Sequence, residues 1–347
     1  MLEIKDILKE EGIDGIIITS SENIYYFSGF TGGEGFAVLT ADKNYILVDG
    51  RYTIQAKEQA KGFEVIEFKK APYEHIEKLS LKNAGFEEKA ISYYQYNNLC
   101  NNLKATKLKG VSDLLSKLRQ VKRQDEIDNL RQAEKIGDMA FEHILRFIRP
   151  NISEREIALE LEYFMKKNGA DGLSFDTIVA VGSHSALPHA RPTNAVVETG
   201  KVVLMDYGCI YNGYCSDMTR TVAVGNVDDK TKNIYDIVLD AQISALKSIK
   251  SGVNAKDVDK VARDIITSNG YGENFNHSLG HGVGLQIHEQ PNLSYSSSSV
   301  LQEGNVVTVE PGIYIEGFCG IRIEDMVLVT TNNCENFTHS TKDFIIL

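Results

Sequence analysis

The sequence predicts an α/β domain over residues 1–115, followed by an α+β domain over 116–347 whose centre is an internal duplication. Three observations carry this. Strand-like and helix-like segments alternate through the first third of the chain. A charged helical run separates the two parts. Two stretches of the second part align residue by residue.

In the first part, "DGIIIT", "GFAVLT" and "NYILVD" are short apolar runs bounded by glycine and aspartate and read as strands. "RYTIQAKEQAKG" reads as a helix between strands, and "MLEIKDILKEEGIDG" as an amphipathic N-terminal helix. That N-terminus lacks the uninterrupted apolar core of a signal peptide. From Asp113 to Arg149 the pattern is helical and heavily charged, bridging the domains until Pro150 stops it. "NISEREIALELEYFMKKNG" opens the next helix, with Ser153 and Glu156 spaced as a capping box. "DDKTKNIYDIVLDAQISALKSIKSG" and "NAKDVDKVARDIITSNG" give two more helices, and the strands of the second domain lie between and after these helices. Ser296 to Ser299 reads as a loop.

Composition narrows the function. The net charge of −11 over 347 residues excludes a general nucleic-acid binder, which carries a basic footprint. Apolar runs such as "GIIIT" and "VVLM" are too short to span a bilayer. The five cysteines form no CxxC pair and are odd in number, which points to a reducing cytoplasm.

The duplication places "GKVVLMDYGCIYNGYC" (200–215) over "GNVVTVEPGIYIEGFC" (304–319). Gly200, Val202, Val203, Gly208, Gly213 and Cys215 fall on Gly304, Val306, Val307, Gly312, Gly317 and Cys319. Asp206 falls on Glu310, and Tyr214 on Phe318. Two related hairpins therefore carry an acid at the same place. Cys215 and Cys319 read as small apolar fillers.

Side chains alternate along a strand, so Val202, Leu204 and Asp206 share a face, as do Val306, Thr308 and Glu310. Asp217 and Glu324 follow on the returning strands. In "GIRIEDMVLV", Arg322 and Glu324 share one face, and Ile321, Ile323 and Asp325 the other. Four buried carboxylates cannot sit together uncompensated: they are protonated, paired with basic side chains or bound to cations, and Arg322 alone is too little. Two divalent cations would neutralise them; with one imidazole the set suits manganese, cobalt, zinc or iron. Such paired ions activate water for hydrolysis.

"NHSLGHGVGLQIHEQP" holds the imidazoles. His281 lies between glycines that let the backbone approach metals closely. His288 can return to the pocket as a proton donor, and His277 can line the same cleft. His184 reads as a loop residue; His75, His143 and His339 belong to no motif.

Together these residues resemble the pita-bread metallopeptidases. That family binds two metals through Asp, Asp, His, Glu and Glu in chain order, matched here by Asp206 in "MDYG", Asp217 in "SDMTR", His281 in "HSLGHGVG", Glu310 in "EPG" and Glu324 in "IRIED". "FDTIVAVGSHSALPHARPT" is similar to the segment of prolidases and aminopeptidases P that supplies a substrate-facing histidine, here His189. "IRIED", with Arg322 two residues before the last ligand, also resembles the proline-specific branch. "NIYYFSGFTGGEGFAVLT" and "LVDGRYTIQA" are similar to the creatinase/prolidase N-terminal domain, which implies a mixed sheet. The compact length and the lack of tryptophan lean towards the bacterial prolidase-like group.

The resemblance implies a cytoplasmic, homodimeric Xaa-Pro dipeptidase or Xaa-Pro aminopeptidase acting on short proline-containing peptides, with no nucleic-acid or membrane partner. It implies two divalent ions per chain, manganese foremost. Asp206 chelates one, His281 and Glu310 bind the other, and Asp217 and Glu324 bridge. Glu310 relays the proton. His288 and His189 stabilise the oxyanion and position the substrate. Arg322 completes the catalytic set and His277 lines the substrate site. The other reading is a metal-free relative, a binding module or a creatinase-like enzyme. The ligand set discriminates, and all five positions are filled.

Overall fold

The computed structural model describes residues 4–347. The first three residues of the expected N-terminal helix lie outside them; that helix runs Ile4–Glu11. The chain divides into two compact units after Leu118.

The first unit is built on a six-stranded mixed sheet, in the order Phe63–Glu67, Asn44–Val48, Phe36–Thr40, Gly15–Ile18, Asn83–Phe86, Lys107–Gly110. Gly15–Ile18 runs antiparallel to Phe36–Thr40 and parallel to Asn83–Phe86. Its unbroken isoleucine run follows from burial on both faces. Ile16 and Ile18 enter one apolar cluster with Leu39, Ile46 and Val48, while Ile17 enters another with Val38 and Leu47. The strands Asn83–Phe86 and Lys107–Gly110, and the helices Ser21–Ser28 and Tyr93–Asn102, were not among the expected elements. "NAGF" and "KLKG" are too short and too poor in β-branched residues to stand out.

The charged run after Asp113 is two helices, Ser112–Gln120 and Gln124–Ile144, and the second ends well before Pro150. The break at Val121–Arg123 has a tertiary cause: Lys122 N–H donates to Gly304 O at 2.8 Å. Ser153 caps the helix Glu154–Lys167 through the expected reciprocal bonds with Glu156.

The second unit repeats one plan twice. Helices Gln124–Ile144 and Glu154–Lys167 cover a sheet ordered Met218–Val224, Lys201–Tyr207, Ile178–Val181. Helices Asp229–Ser248 and Ala255–Ser268 cover a sheet that contains Gly280–Gly282, Val306–Val309 and Asp325–Val329. In the first half Val203, Met205 and Tyr207 pack on Ala133, Ile136 and Leu161. In the second, Val307 and Val309 pack on Val238, Val258 and Ile266. Each such large side chain contributes about 1.5–3 kcal/mol by burial. The alternation then turns Asp206 and Thr308 away from the helices. Between the long strands each half inserts a small hairpin, Cys209–Tyr211 with Tyr214–Cys215 and Gly312–Ile315 with Cys319–Arg322. Asn212 and Gly213 take positive φ, 48° and 81°, as a two-residue turn demands. Gly317 turns the second hairpin at φ 73°.

Candidate metal centre

The acids stand at the mouths of these strand pairs. Asp206 is the penultimate residue of Lys201–Tyr207, and Glu310 follows Val306–Val309 directly. Asp217 immediately precedes Met218–Val224, and Glu324 immediately precedes Asp325–Val329. His281 sits in the middle of Gly280–Gly282. The flanking glycines serve close packing between strands. A Cβ on Gly280 would lie 2.1 Å from Thr308 O, and one on Gly282 would lie 2.5 Å from Gln290 O. Neighbouring backbone thus leaves no room for a side chain at either position.

All five side chains line one cavity of about 570 Å³, together with His189, His277, His288 and Arg322. Asp217, His281 and Glu324 each offer a ligand atom within 4.8 Å of the others. His281 Nδ1–H donates to Gly282 O at 3.1 Å, because a carbonyl can only accept. Nε2 then faces Asp217 Oδ2, 3.4 Å away, and Glu310 Oε1, 3.5 Å away. A ring nitrogen set between two carboxylate oxygens is favourable with a proton on it or a metal cation between them.

The carboxylates point the same way. Asp206 Oδ2 accepts from Arg322 Nη2 at 2.7 Å, while buried Oδ1 has no hydrogen-bond partner. Glu324 Oε2 accepts from Thr219 Oγ1 at 2.7 Å. Burial, then the neighbouring charges of Asp206 and Glu310, push the Asp217 carboxyl well above its usual range. Burial, Asp217 and Glu310 do the same to Glu324. Asp206 and Glu310 are raised as well, chiefly by burial. Four crowded acids, an orphaned buried oxygen and one imidazole facing two of the acids fit a pair of divalent cations.

Arg322 is nearly fully committed. Nε donates to Thr219 Oγ1 at 2.9 Å, Nη1 to Tyr314 Oη at 2.7 Å and Pro188 O at 3.4 Å, and Nη2 to Asp206. Both His277 nitrogens are also engaged: Nδ1–H donates to Ser278 O at 2.8 Å, and Nε2 accepts from Tyr314 Oη at 3.0 Å. Burial, with Arg322 beside it, pushes His277 down to about 4. His288 sets its ring edge-on to His281, centroids 4.2 Å apart. Burial and the nearby His281 push it down to about 4 as well, so it is neutral near pH 7. His189 stands exposed at the rim.

His184 corrects its loop reading: it lies in the 3₁₀ turn Gly182–Ala186 and its Nδ1–H donates to the buried carboxylate of Glu154 at 2.7 Å. Sequence reasoning passed over Thr219, Tyr314 and Glu154. It also passed over the buried cluster beside His288, where Glu289 receives Arg119 Nη2 at 2.6 Å and Lys122 Nζ at 3.0 Å. Thr219 had a readable signal, since it lies two residues beyond Asp217 on the same strand face.

Residues 128–331 match metallopeptidase family M24, and residues 2–121 match the creatinase/prolidase N-terminal domain. The chain belongs to metallopeptidase family M24. Within this M24 family it is 40% identical to the Xaa-Pro dipeptidase of Pyrococcus furiosus over 97% of both chains. It superposes on a Xaa-Pro dipeptidase from Bacillus anthracis with a TM-score of 0.96 and 45% identity, covering 99% of this chain and 98% of that one. An X-Pro aminopeptidase from Thermotoga maritima gives 0.91 and 41%, covering 97% and 98%. The fold is accordingly the M24 pita-bread domain behind a creatinase-type N-terminal domain.

Proposed function

We propose that this M24 chain hydrolyses the peptide bond between an N-terminal residue and a following proline, with two divalent cations held by Asp206, Asp217, His281, Glu310 and Glu324. The observation that carries the metal reading is the set of four buried or half-buried carboxylates facing one cavity with one arginine and one imidazole among them. Proline specificity is supported by relatives of both dipeptidase and aminopeptidase name. An Xaa-Pro amide lacks an N–H, so the site needs no acceptor for one.

When bound, the cations supply Lewis acidity and an activated water. Glu310 accepts the proton released on attack and hands it to the departing proline nitrogen. His288, neutral near pH 7, donates its ring N–H to the carbonyl oxygen as charge develops there. His189 steadies the substrate from the rim. Arg322 holds Asp206 in line and opposes the upward pull of burial on its carboxyl, while His277 contributes wall and braces Tyr314. The donor set suits manganese first, with cobalt, zinc and iron as the other candidates. The five free cysteines support a reducing cytoplasm. Resemblance to enzymes whose N-terminal domain closes the neighbour's site supports a homodimer. Among the described residues no helix is long and apolar enough to cross a membrane, and the binding partner we assign is a short peptide.

The test is hydrolysis by protein loaded with each of the four metals in turn. The substrates are Ala-Pro, Ala-Pro-Ala and, as control, Ala-Ala. Cleavage of a proline peptide with Ala-Ala left intact is expected, and the two proline peptides separate dipeptidase from aminopeptidase. Ala-Ala cleaved as fast as either, or no cleavage with any metal, overturns the reading.

A further inference from the structure

The segment from Val181 to Thr193 carries His189, and one buried carboxylate ties down both its ends. Glu154 is shielded from solvent at 0% exposure. Its Oε1 accepts from Val181 N–H at 2.8 Å and His184 Nδ1–H at 2.7 Å. Its Oε2 accepts from Thr193 N–H at 2.8 Å and Thr193 Oγ1–H at 2.6 Å. Four donors thus fill both oxygens, and hydrogen bonds to an ionised acceptor are about twice as strong as neutral ones. The middle of the segment is held separately, by Gly320 N–H on Ser185 Oγ at 2.7 Å. Glu154, His184 and Thr193 do not line the cavity, whereas His189 does.

A segment closed at both ends by one rigid acceptor keeps a single geometry. Loosened at either end, it regains part of the freedom that ordering removed. We propose that Glu154 is a positioning residue: by stapling Val181 and His184 to Thr193 it sets where His189 meets the substrate. The inference rests on the reading of His189 given above.

Glu154→Gln keeps the shape but has one acceptor oxygen. Its amide N–H₂ opposes two donors, so one end of the segment loses those two bonds and keeps only its backbone anchors, Val181 on Val203 or Arg155 N–H on Thr193 O. In metal-loaded, full-length protein, Ala-Pro turnover should fall on the order of a hundredfold, the scale of a misplacement of about an ångström. Metal content should be unchanged. A structural defect would lower turnover in any background. Positioning through His189 would not: in His189→Ala protein the added Glu154→Gln change should cost less than about twofold. Costs that multiply in the double variant overturn the proposal, as does a fully active Glu154→Gln. Should Glu154→Gln fail to fold, His184→Ala and Thr193→Val each remove a single donor. Each should show a smaller fall that vanishes in the same background, and multiplying costs there overturn it equally. A fully active His189→Ala rejects the His189 reading, and this proposal with it, on that single variant alone. An impaired His189→Ala with multiplying costs rejects the positioning role only.

Discussion

Glu324 and Asp325 are consecutive and equally buried, yet their surroundings are opposite. Asp325 receives Arg220 Nη2 at 2.8 Å, Lys342 Nζ at 2.5 Å, Gln242 Nε2 at 2.9 Å and Asn336 Nδ2 at 2.7 Å. Burial pulls its carboxyl upward, but Arg220 and Lys342 outweigh that and hold it below the usual range. Glu324 faces the cavity with one hydroxyl donor, and burial plus the Asp217 charge push it well up. Glu289 falls in the first class: burial is outweighed by Lys122 and Arg119, and its carboxyl is lowered. Burial alone therefore does not mark a metal ligand. The fold gives Asp325 and Glu289 two cationic partners each, whereas the four cavity acids share one guanidinium, that of Arg322 on Asp206.

The largest expected effect follows from removing an uncompensated acid. Glu324→Ala should lose at least one ion per chain and reduce Ala-Pro turnover by more than the roughly hundredfold to thousandfold that a single oxyanion donor is worth. Elemental analysis and steady-state kinetics decide it. Unchanged metal content and turnover would mean that Glu324 belongs with Asp325. In metal-free protein, Glu324→Gln should melt no lower than the unaltered chain, because it removes a charge that burial and Asp217 already disfavour.

Arg220→Met should do the reverse. It strands Asp325 in the interior, and breaking a buried pair costs about 3–5 kcal/mol. Denaturant unfolding of the metal-free protein should show that loss, while folded, metal-loaded protein keeps its turnover. A stability loss under about 1 kcal/mol would show that Lys342, Gln242 and Asn336 suffice without it.

Acid should separate the two classes. The cavity carboxylates have raised values, so they take up protons above the usual carboxylate range, in competition with metal. Asp325 and Glu289 have lowered values. Their stabilisation is present above the unfolded carboxylate range and is lost only as pH falls through their folded values. On acidification, bound metal and activity should disappear while far-ultraviolet circular dichroism remains native. A single coincident transition would contradict the distinction.

The comparison also shows what a sequence can reveal. The four cavity acids were legible because acids at the ends of apolar strands break a local rule and the duplication repeats the breach at Asp206 and Glu310, while His281 was singled out among its neighbours by the resemblance. The same reading assigned Asp325 to the opposite face from Glu324, as found. It did not reveal how Asp325 is satisfied, because Arg220 and Lys342 come from a neighbouring strand and the C-terminal segment. Glu154 and Glu289 escaped for the same reason. Glu154 reads as an ordinary first-turn helix acid, and its donors lie as far away as Thr193. The helix break at Val121–Arg123 was invisible because Gly304 imposes it from the far end of the chain.

The smallest effect tests how compensation is shared within one cluster. Arg220 is 1% exposed and donates from all three guanidinium nitrogens: to Asp325, and to the carbonyls of Thr219, Glu324, Ser340 and Thr341. Lys342 is 22% exposed and adds one contact from the rim. Removing it leaves Asp325 with an arginine and two amides, so no bare charge is created. Water can also reach the vacated side. Lys342→Met should therefore cost about 1 kcal/mol or less, in the range of partly exposed ion pairs, and that cost should shrink as salt is added. The measurement is denaturant unfolding of metal-free protein at low and high ionic strength, beside Arg220→Met. A Lys342→Met loss equal to that of Arg220→Met, and insensitive to salt, would show that Asp325 depends on its lysine as much as its arginine. The rim contact would then be as structural as the buried one.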